Sequence, residues 1–253
     1  MTTDSSTTDE IMAGVHRALR EHGYADLTMR DIAEACSKSK SLLHYHYDTK
    51  EDLLVAFLDR LISTFEWQVE RGADRPAPER LAEFIAWFTF GPDATDREHF
   101  HVALLELRSQ GPFNDRIRAQ LRRSDRMFRE TVSDVIEDGI EEGAFRPVDS
   151  GERAALLVAA LDGARTRQIT LDGMAIEGDT YTRVVAEAVV AELVEPILTE
   201  GTRLPALSEV DVMLPRDSDV YTCRSGSSSR ASGAPDVDET DRESRGGDPT
   251  DPA

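Results

Sequence analysis

The chain has 253 residues, 49 of them acidic and 29 basic, for a formal net charge of −20 and a pI near 4.6. That length accommodates one small module, a larger one and a tail, with an ordinary buried core. Two widely separated cysteines, Cys36 and Cys223, have no metal-ligand spacing and suggest no disulfide framework, so a reducing compartment and no metal or cofactor are expected. No apolar run approaches the roughly eighteen residues of a membrane span, and Met1 to Glu10 is Ser, Thr and acid where a leader would be basic and then apolar. A soluble, cytoplasmic protein without membrane contact is the expectation.

Residues 1–9 read as disordered. Residues 10–22 then carry Ile11, Met12, Val15, Ala18 and Leu19 at helical spacing, with His22-Gly23 as the stop. Thr28 caps a short helix over Met29 to Cys36, and Asp31 sits in the first turn, where the helix dipole favours it. After Ser37-Lys38-Ser39 a third short helix is expected over Lys40 to Tyr47. Thr49 caps a fourth, with Asp52 three residues on in a capping-box arrangement and an apolar face from Leu53 to Phe65. Gly72 to Pro78 is a break. Beyond it only helical periodicity appears, over about 79–90, 97–110, 114–142, 150–172 and 179–199, with no useful strand-period segment. From Gly201 the composition turns to Ser, Gly, Pro and acid, which cannot offset the ordering entropy of a fold. Residues 201–253 therefore read as a disordered acidic tail, in which Val210, Val212, Met213 and Leu214 could dock back.

The overall charge argues against a polyanionic partner, but its distribution argues for one. All three lysines, Lys38, Lys40 and Lys50, fall in a single window, and no carboxylate occurs from Ser37 to Tyr47. The two short helices of that window have the lengths of a helix-turn-helix, whose first helix crosses the phosphate backbone while the second enters the major groove. Ala33 and Leu43 are placed to lock the pair together.

Thr28-Met29-Arg30-Asp31-Ile32-Ala33-Glu34-Ala35, followed by Leu43-His44-Tyr45-His46-Tyr47-Asp48-Thr49-Lys50-Glu51-Asp52-Leu53, resembles the TetR/AcrR family of repressors. The likeness is strong over about residues 10–60 and extends beyond them only in helix count and order. It implies an all-α fold: a helix-turn-helix DNA-binding domain at 10–55, then a helical ligand-binding and dimerisation domain at 56–200. It also implies phosphate contacts at Thr28, Arg30 and Lys50 and base reading by a recognition helix. In this chain those readers are Lys40, Ser41, Leu42, His44 and Tyr45, and Ser39, in the turn before them, is counted with the DNA-binding residues. The chain departs from the family where Ser37 replaces a usual glycine, Lys38 an apolar residue, Ser41 and Leu42 the frequent Gly and Thr, and His44 a common tyrosine. Leu42 in the groove would favour thymine methyl groups. The resemblance implies double-stranded operator DNA, a homodimer and a small-molecule effector, with constitutive repression or activation as the alternative. The acidic, lysine-poor, arginine-rich composition in turn resembles proteins of extreme halophiles, whose surface carboxylates hold hydrated cations.

For the dimer, Ala154, Ala155, Ala159, Ala160, Gly163 and Ala164 offer close packing on one helix, and Val184, Val185, Ala188, Val189 and Leu193 an aliphatic face on the next. Ala160, Ala164, Val185 and Val189 are the expected interface. An effector pocket is expected at Phe84, Trp87, Phe88, His101, Leu105 and Phe128, open to an apolar ligand or to a cation that uses the ring faces with Glu106 or other acids. The nearest approach to a metal-dependent enzyme is His99, His101 and Glu106, but the two histidines lack the i, i+4 relation that would bring them onto one helix face. No phosphate loop or nucleophile elbow is present, so no catalytic residue is expected.

Overall fold

A computed structural model describes residues 2–89, 95–171, 175–176, 179–210 and 212. The helices are α1 (Thr2–Asp26), α2 (Met29–Ala35), α3 (Lys40–His46), α4 (Lys50–Arg71), α5 (Ala77–Trp87), α6 (Thr95–Ser109), α7 (Asp115–Glu141), α8 (Ser150–Thr170) and α9 (Tyr181–Val189). Two-residue strands β1 (Ala175–Ile176) and β2 (Asp179–Thr180) pair antiparallel between α8 and α9. Among the described residues no helix is long and apolar enough to cross a membrane.

Most helix limits follow from local chemistry. Asn114 caps α7 and Asp149 caps α8, each accepting backbone N–H bonds from the first turn. The start and end of the chain differ from expectation. Helix α1 begins at Thr2 rather than near residue 10, because Ser, Thr and Asp are tolerated in a helix whose later turns are anchored by Ile11, Met12 and Val15. Its continuous part stops at Gly23 as expected, where φ is +69°. The expected helix over 179–199 is α-helical only to Val189. It continues as a π turn, Val190–Val194, and a 3-10 turn, Glu195–Ile197, because Pro196 has no N–H and its ring collides with the carbonyl one turn back. Residues 201–210 and 212 are described, and Leu204, Leu207 and Val212 pack on the larger core. The docked part of the expected tail therefore starts earlier than Val210; Met213 and Leu214 lie outside the described residues.

Two apolar cores share α4. The first joins Ile11, Val15, Ile32, Leu43, Leu54 and Phe57 to Phe100, Ala103 and Leu107 of α6 and Ile117 of α7. The second gathers Ile62, Phe65 and residues of α5, α7, α8 and α9. The change of core thus falls inside α4, between Leu58 and Ile62. Helix α6 closes the N-terminal core: each fully buried Phe or Leu contributes about 1.5–3 kcal/mol, and Phe100, 1% exposed, makes that contribution from outside the first four helices.

Gly14 of α1 is in the tightest contact of the N-terminal core. A Cβ there would lie 2.4 Å from the Cys36 Cβ and 3.0 Å from its backbone nitrogen, so α1 meets the end of α2 only without a side chain. Beside it the Arg17 guanidinium donates to the Ala35 carbonyl at 2.7 Å, satisfying one of the free carbonyls at the α2 end.

Candidate DNA-binding face and effector cavity

Helix α2 opens with a complete capping box. The Asp31 N–H donates to the Thr28 hydroxyl at 3.3 Å, and the Thr28 N–H donates to the Asp31 carboxylate at 2.8 Å. The start of α4 repeats the device with Thr49 and Asp52. Hydrogen bonds from the Thr28 hydroxyl and then its N–H hold the Asp31 carboxyl below the usual carboxylate range. The Thr49 hydroxyl, followed by Arg116 of α7, does the same for Asp52. Because these carboxyls are depressed in the fold, both caps stabilise it above the unfolded carboxyl's pKa of about 3.9 and lose that contribution as pH falls through the folded values.

The turn between α2 and α3 is a Schellman motif. The Ser37 N–H donates to the Glu34 carbonyl and the Lys38 N–H to that of Ala33, at 3.1 and 3.0 Å. The motif requires a left-handed residue, and Ser37 adopts φ of 54° without being glycine. At the end of α7 the same motif holds Gly143 at φ of 76°. A left-handed L-residue costs about 1–2 kcal/mol, partly offset by glycine's larger unfolded-state entropy. Ser37→Gly should therefore raise the unfolding free energy by roughly 0.5–1 kcal/mol in urea titration, with an unchanged m-value. A loss of stability would mean that the Ser37 side chain makes a compensating bond.

Ser39 caps α3 by accepting the Leu42 N–H at 3.1 Å. Leu43 points inward, fully buried, while Lys40, Ser41, His44 and Tyr45 face solvent and Leu42 is half-buried. Tyr45 is 83% exposed. A large ring turned so far into water on a short, rigidly capped helix is unfavourable unless it meets a partner. Thr28 and Arg30 are exposed on the neighbouring helix start, and Arg30 holds only an exposed Glu34 partner at 2.8 Å, readily exchanged for phosphate. Lys38, by contrast, is ion-paired with Glu10 of α1 and braces the turn.

Lys50 is half-buried and doubly held: its ammonium donates to the Tyr24 carbonyl at 3.2 Å and stands 4.7 Å from the centre of the Tyr24 ring. The Tyr24 N–H donates in turn to the Glu106 carboxylate of α6 at 2.6 Å. Glu106 is thus committed to the end of α1 and is not a cation subsite in the pocket. A Cβ on Gly23 would stand 2.9 Å from that carboxylate, so glycine is needed there for space as well as for φ. The spacing of residues one element at a time carries no trace of this link, which joins positions far apart in the chain.

A cavity of about 170 Å³ lies among α4, α5, α6, α7 and α8. Trp87, His101, Leu105 and Phe128 line it as expected, whereas Phe84 and Phe88 do not and are buried in the larger core. Sequence periodicity cannot separate the cavity side of a buried aromatic helix from its core side. The polar lining, including Arg108, Gln120, Ser124, Asp162 and Arg165, was not anticipated. Arg165, 6% exposed, lies 4.1 and 4.6 Å over the rings of Phe88 and Trp87 and donates to the Trp87 carbonyl at 3.0 Å. Among the described residues no cluster of His, Cys, Asp or Glu could hold a metal ion.

Of the expected interface residues, Ala164 and Val189 are turned into their own protomer's core, and Ala160 and Val185 are half-buried against it. The exposed small-residue stripe of α8 is Ala155, Ala159 and Gly163, next to Leu156, 52% exposed.

A capped helix pair presenting polar side chains and a free aromatic ring, carried on a larger helical body with an internal cavity, defines a helix-turn-helix DNA-binding regulator. Residues 11–57 match the family described as bacterial regulatory proteins, tetR family, and residues 76–199 match the BetI-type transcriptional repressor C-terminal region. The crystal structure of a TetR transcription regulator from Haloarcula marismortui is 38% identical, with 77% of this chain and 100% of that one covered and a TM-score of 0.66. A regulator from Saccharomonospora viridis in complex with choline is 23% identical with a TM-score of 0.62, covering 78% of this chain and 100% of that one, and shows the shared fold. The HTH-type transcriptional repressor KstR2 of Rhodococcus jostii is 30% identical over 130 residues, which are 50% of this chain and 61% of that repressor's length. The chain belongs to the TetR family of transcriptional regulators.

Proposed function

We propose that the protein is a ligand-responsive repressor that binds a palindromic operator as a homodimer, with α3 in the major groove and the effector in the cavity. The observation that carries the reading is the double use of α6. Leu104, Leu105, Leu107 and Arg108 line the cavity, while Glu106 between them holds Tyr24, which holds Lys50. A shift of α6 on ligand entry is thereby transmitted to the residue that opens α4 beside the DNA face, so that the two sites are energetically linked. Thr28, Arg30 and Lys50 grip phosphate; Ser39, Lys40, Ser41, Leu42, His44 and Tyr45 meet the groove. The choline of the Saccharomonospora neighbour is not carried over to this cavity, where the Arg165 guanidinium already stands over the Trp87 ring. The dimer forms through the exposed stripe of α8 with α9 beside it.

The test starts from an operator recovered by selection from random duplex DNA. Tyr45→Ala and Lys50→Ala should each weaken binding by about tenfold or more at fixed salt, with helical content unchanged, while His44→Ala should alter the selected sequence. Unchanged affinity in Lys50→Ala would remove the phosphate role and leave Lys50 as a brace for Tyr24.

A further inference from the structure

Gln120 of α7 brings an unpaired polar atom to the wall of the cavity. The Gln120 side-chain oxygen is buried and accepts no hydrogen bond within the protein. Gln120 lies on the lining of the cavity, and Ser124, one turn further along α7, lines it as well. The charged lining groups are by contrast engaged. Arg108 pairs with Asp162 at 2.9 Å, Asp125 with Arg129 at 3.0 Å, and Arg165 rests on the two rings and the Trp87 carbonyl. A charged ligand would have to break one of these contacts in a low-dielectric space, so the vacant chemistry is neutral.

The cavity is graded along its length. Phe128 and Gln120 stand on α7 about 12 Å apart along the helix axis, and both line the cavity. Around Phe128 the lining is aromatic, with the Phe65 and Trp87 ring centres at 5.2 and 5.5 Å, whereas Gln120 and Ser124 are the uncharged polar positions that α7 contributes. The volume of about 170 Å³ compares with an apolar cavity of about 150 Å³ that takes up benzene in another protein, so one ring with a substituent fills it.

Building on the effector reading above, we infer that the cavity binds a compact, uncharged aromatic or alicyclic molecule bearing one hydroxyl, its hydroxyl at the Gln120 amide and its ring against the adjoining apolar lining. A hydroxyl both donates and accepts, so it satisfies the orphan position whichever way the Gln120 amide is turned.

Four matched single-ring probes test this by calorimetric titration of the full chain: p-cresol, toluene, benzylammonium and p-toluate. The expected result is that p-cresol binds about tenfold more tightly than toluene and that the two ions give no binding heat at the same concentrations. In Gln120→Leu, or in Gln120→Met should leucine disturb folding, p-cresol and toluene should bind alike. Four results would overturn the inference: no binding of p-cresol, equal binding of toluene by the unaltered protein, binding of either ion as tight as that of p-cresol, or a hydroxyl preference that survives the Gln120 substitutions. The last would mean that the amide serves an ordered water only. Operator retention with the cavity saturated by p-cresol separates this inference from the one beneath it. Probe bound with operator still held supports the site chemistry and overturns the ligand response; operator released supports both.

Discussion

Leu156→Glu is expected to convert the protein to a monomer and to lower operator affinity at least a hundredfold, with helical content unchanged. Leu156 is half-exposed on α8, beside a stripe of Ala155, Ala159 and Gly163 spaced every four residues and hence on one face. A Cβ on Gly163 would meet nothing within 4 Å, so the protomer itself does not explain the small residue, whereas a helix approaching from another copy would. A carboxylate at Leu156 costs nothing in the isolated protomer, where it stays in water. In the dimer it would be buried against its own symmetry mate, at a cost of several kcal/mol. Since two linked half-sites gain about 10²–10⁴ in affinity over one, losing the dimer removes that factor. Val185→Glu is a poorer probe, because Val185 packs on the larger core and the charge would unfold the protomer. Sedimentation equilibrium together with operator titration checks the prediction. A Leu156→Glu dimer with full operator affinity would place the interface on another surface.

That substitution also marks how far sequence reasoning reached. The small residues of α8 were recognised, but their facing was wrong by a fraction of a turn. Ala164 and Ala155 stand nine positions apart, and one is buried while the other is exposed. An amphipathic pattern is read from contrast, and a helix with alanine on both sides supplies little. The helix-turn-helix was legible for the opposite reason. Thr28, and Thr49 with Asp52, are cap signals decided within four residues, and the structure forms both; the Ser39 cap is seen only in the structure. Even the departure at Ser37 left the turn intact, because the Schellman hydrogen bonds hold it left-handed.

What could not be read was everything that depends on distant elements meeting. Phe100 looked like one more apolar residue of α6, yet it seats against Phe57 at 6.1 Å and His16 at 4.5 Å in the N-terminal core. Glu106 was considered as a partner for a cationic ligand, which its charge allows, but it accepts the Tyr24 N–H instead. Arg165, two residues before Arg167 in the sequence, carries no local sign of burial, and only the tertiary fold shows it buried on Trp87 and Phe88.

The remaining large effect concerns salt, and it arises from a −20 chain binding a polyanion. A TetR-type dimer gripping DNA through Arg30, Lys40 and Lys50 of each protomer would ordinarily release about 0.9 counterions per phosphate contact, for a slope of log affinity on log salt near −5. Two features reduce this. Arg30 is paired with Glu34 before DNA arrives, so part of what it offers phosphate is exchange of one anion for another. The carboxylate-rich body also raises the local negative potential when it approaches the duplex, so cations are taken up where acids face phosphates, against the release at Arg30, Lys40 and Lys50. The expected result is a slope shallower than about −2, or inverted, with operator binding retained near 1 M potassium chloride, where a Debye length of about 3 Å leaves only contact-range electrostatics. Contacts of that range are the ones α3 supplies: the exposed Tyr45 ring, His44, Ser41 and Leu42 need no long-range field. Operator titrations from low to molar potassium chloride, with circular dichroism confirming the fold at each concentration, decide the matter. A slope near −5 throughout the folded range would show the lysine window acting as an ordinary basic patch, insulated from the acidic surface around it.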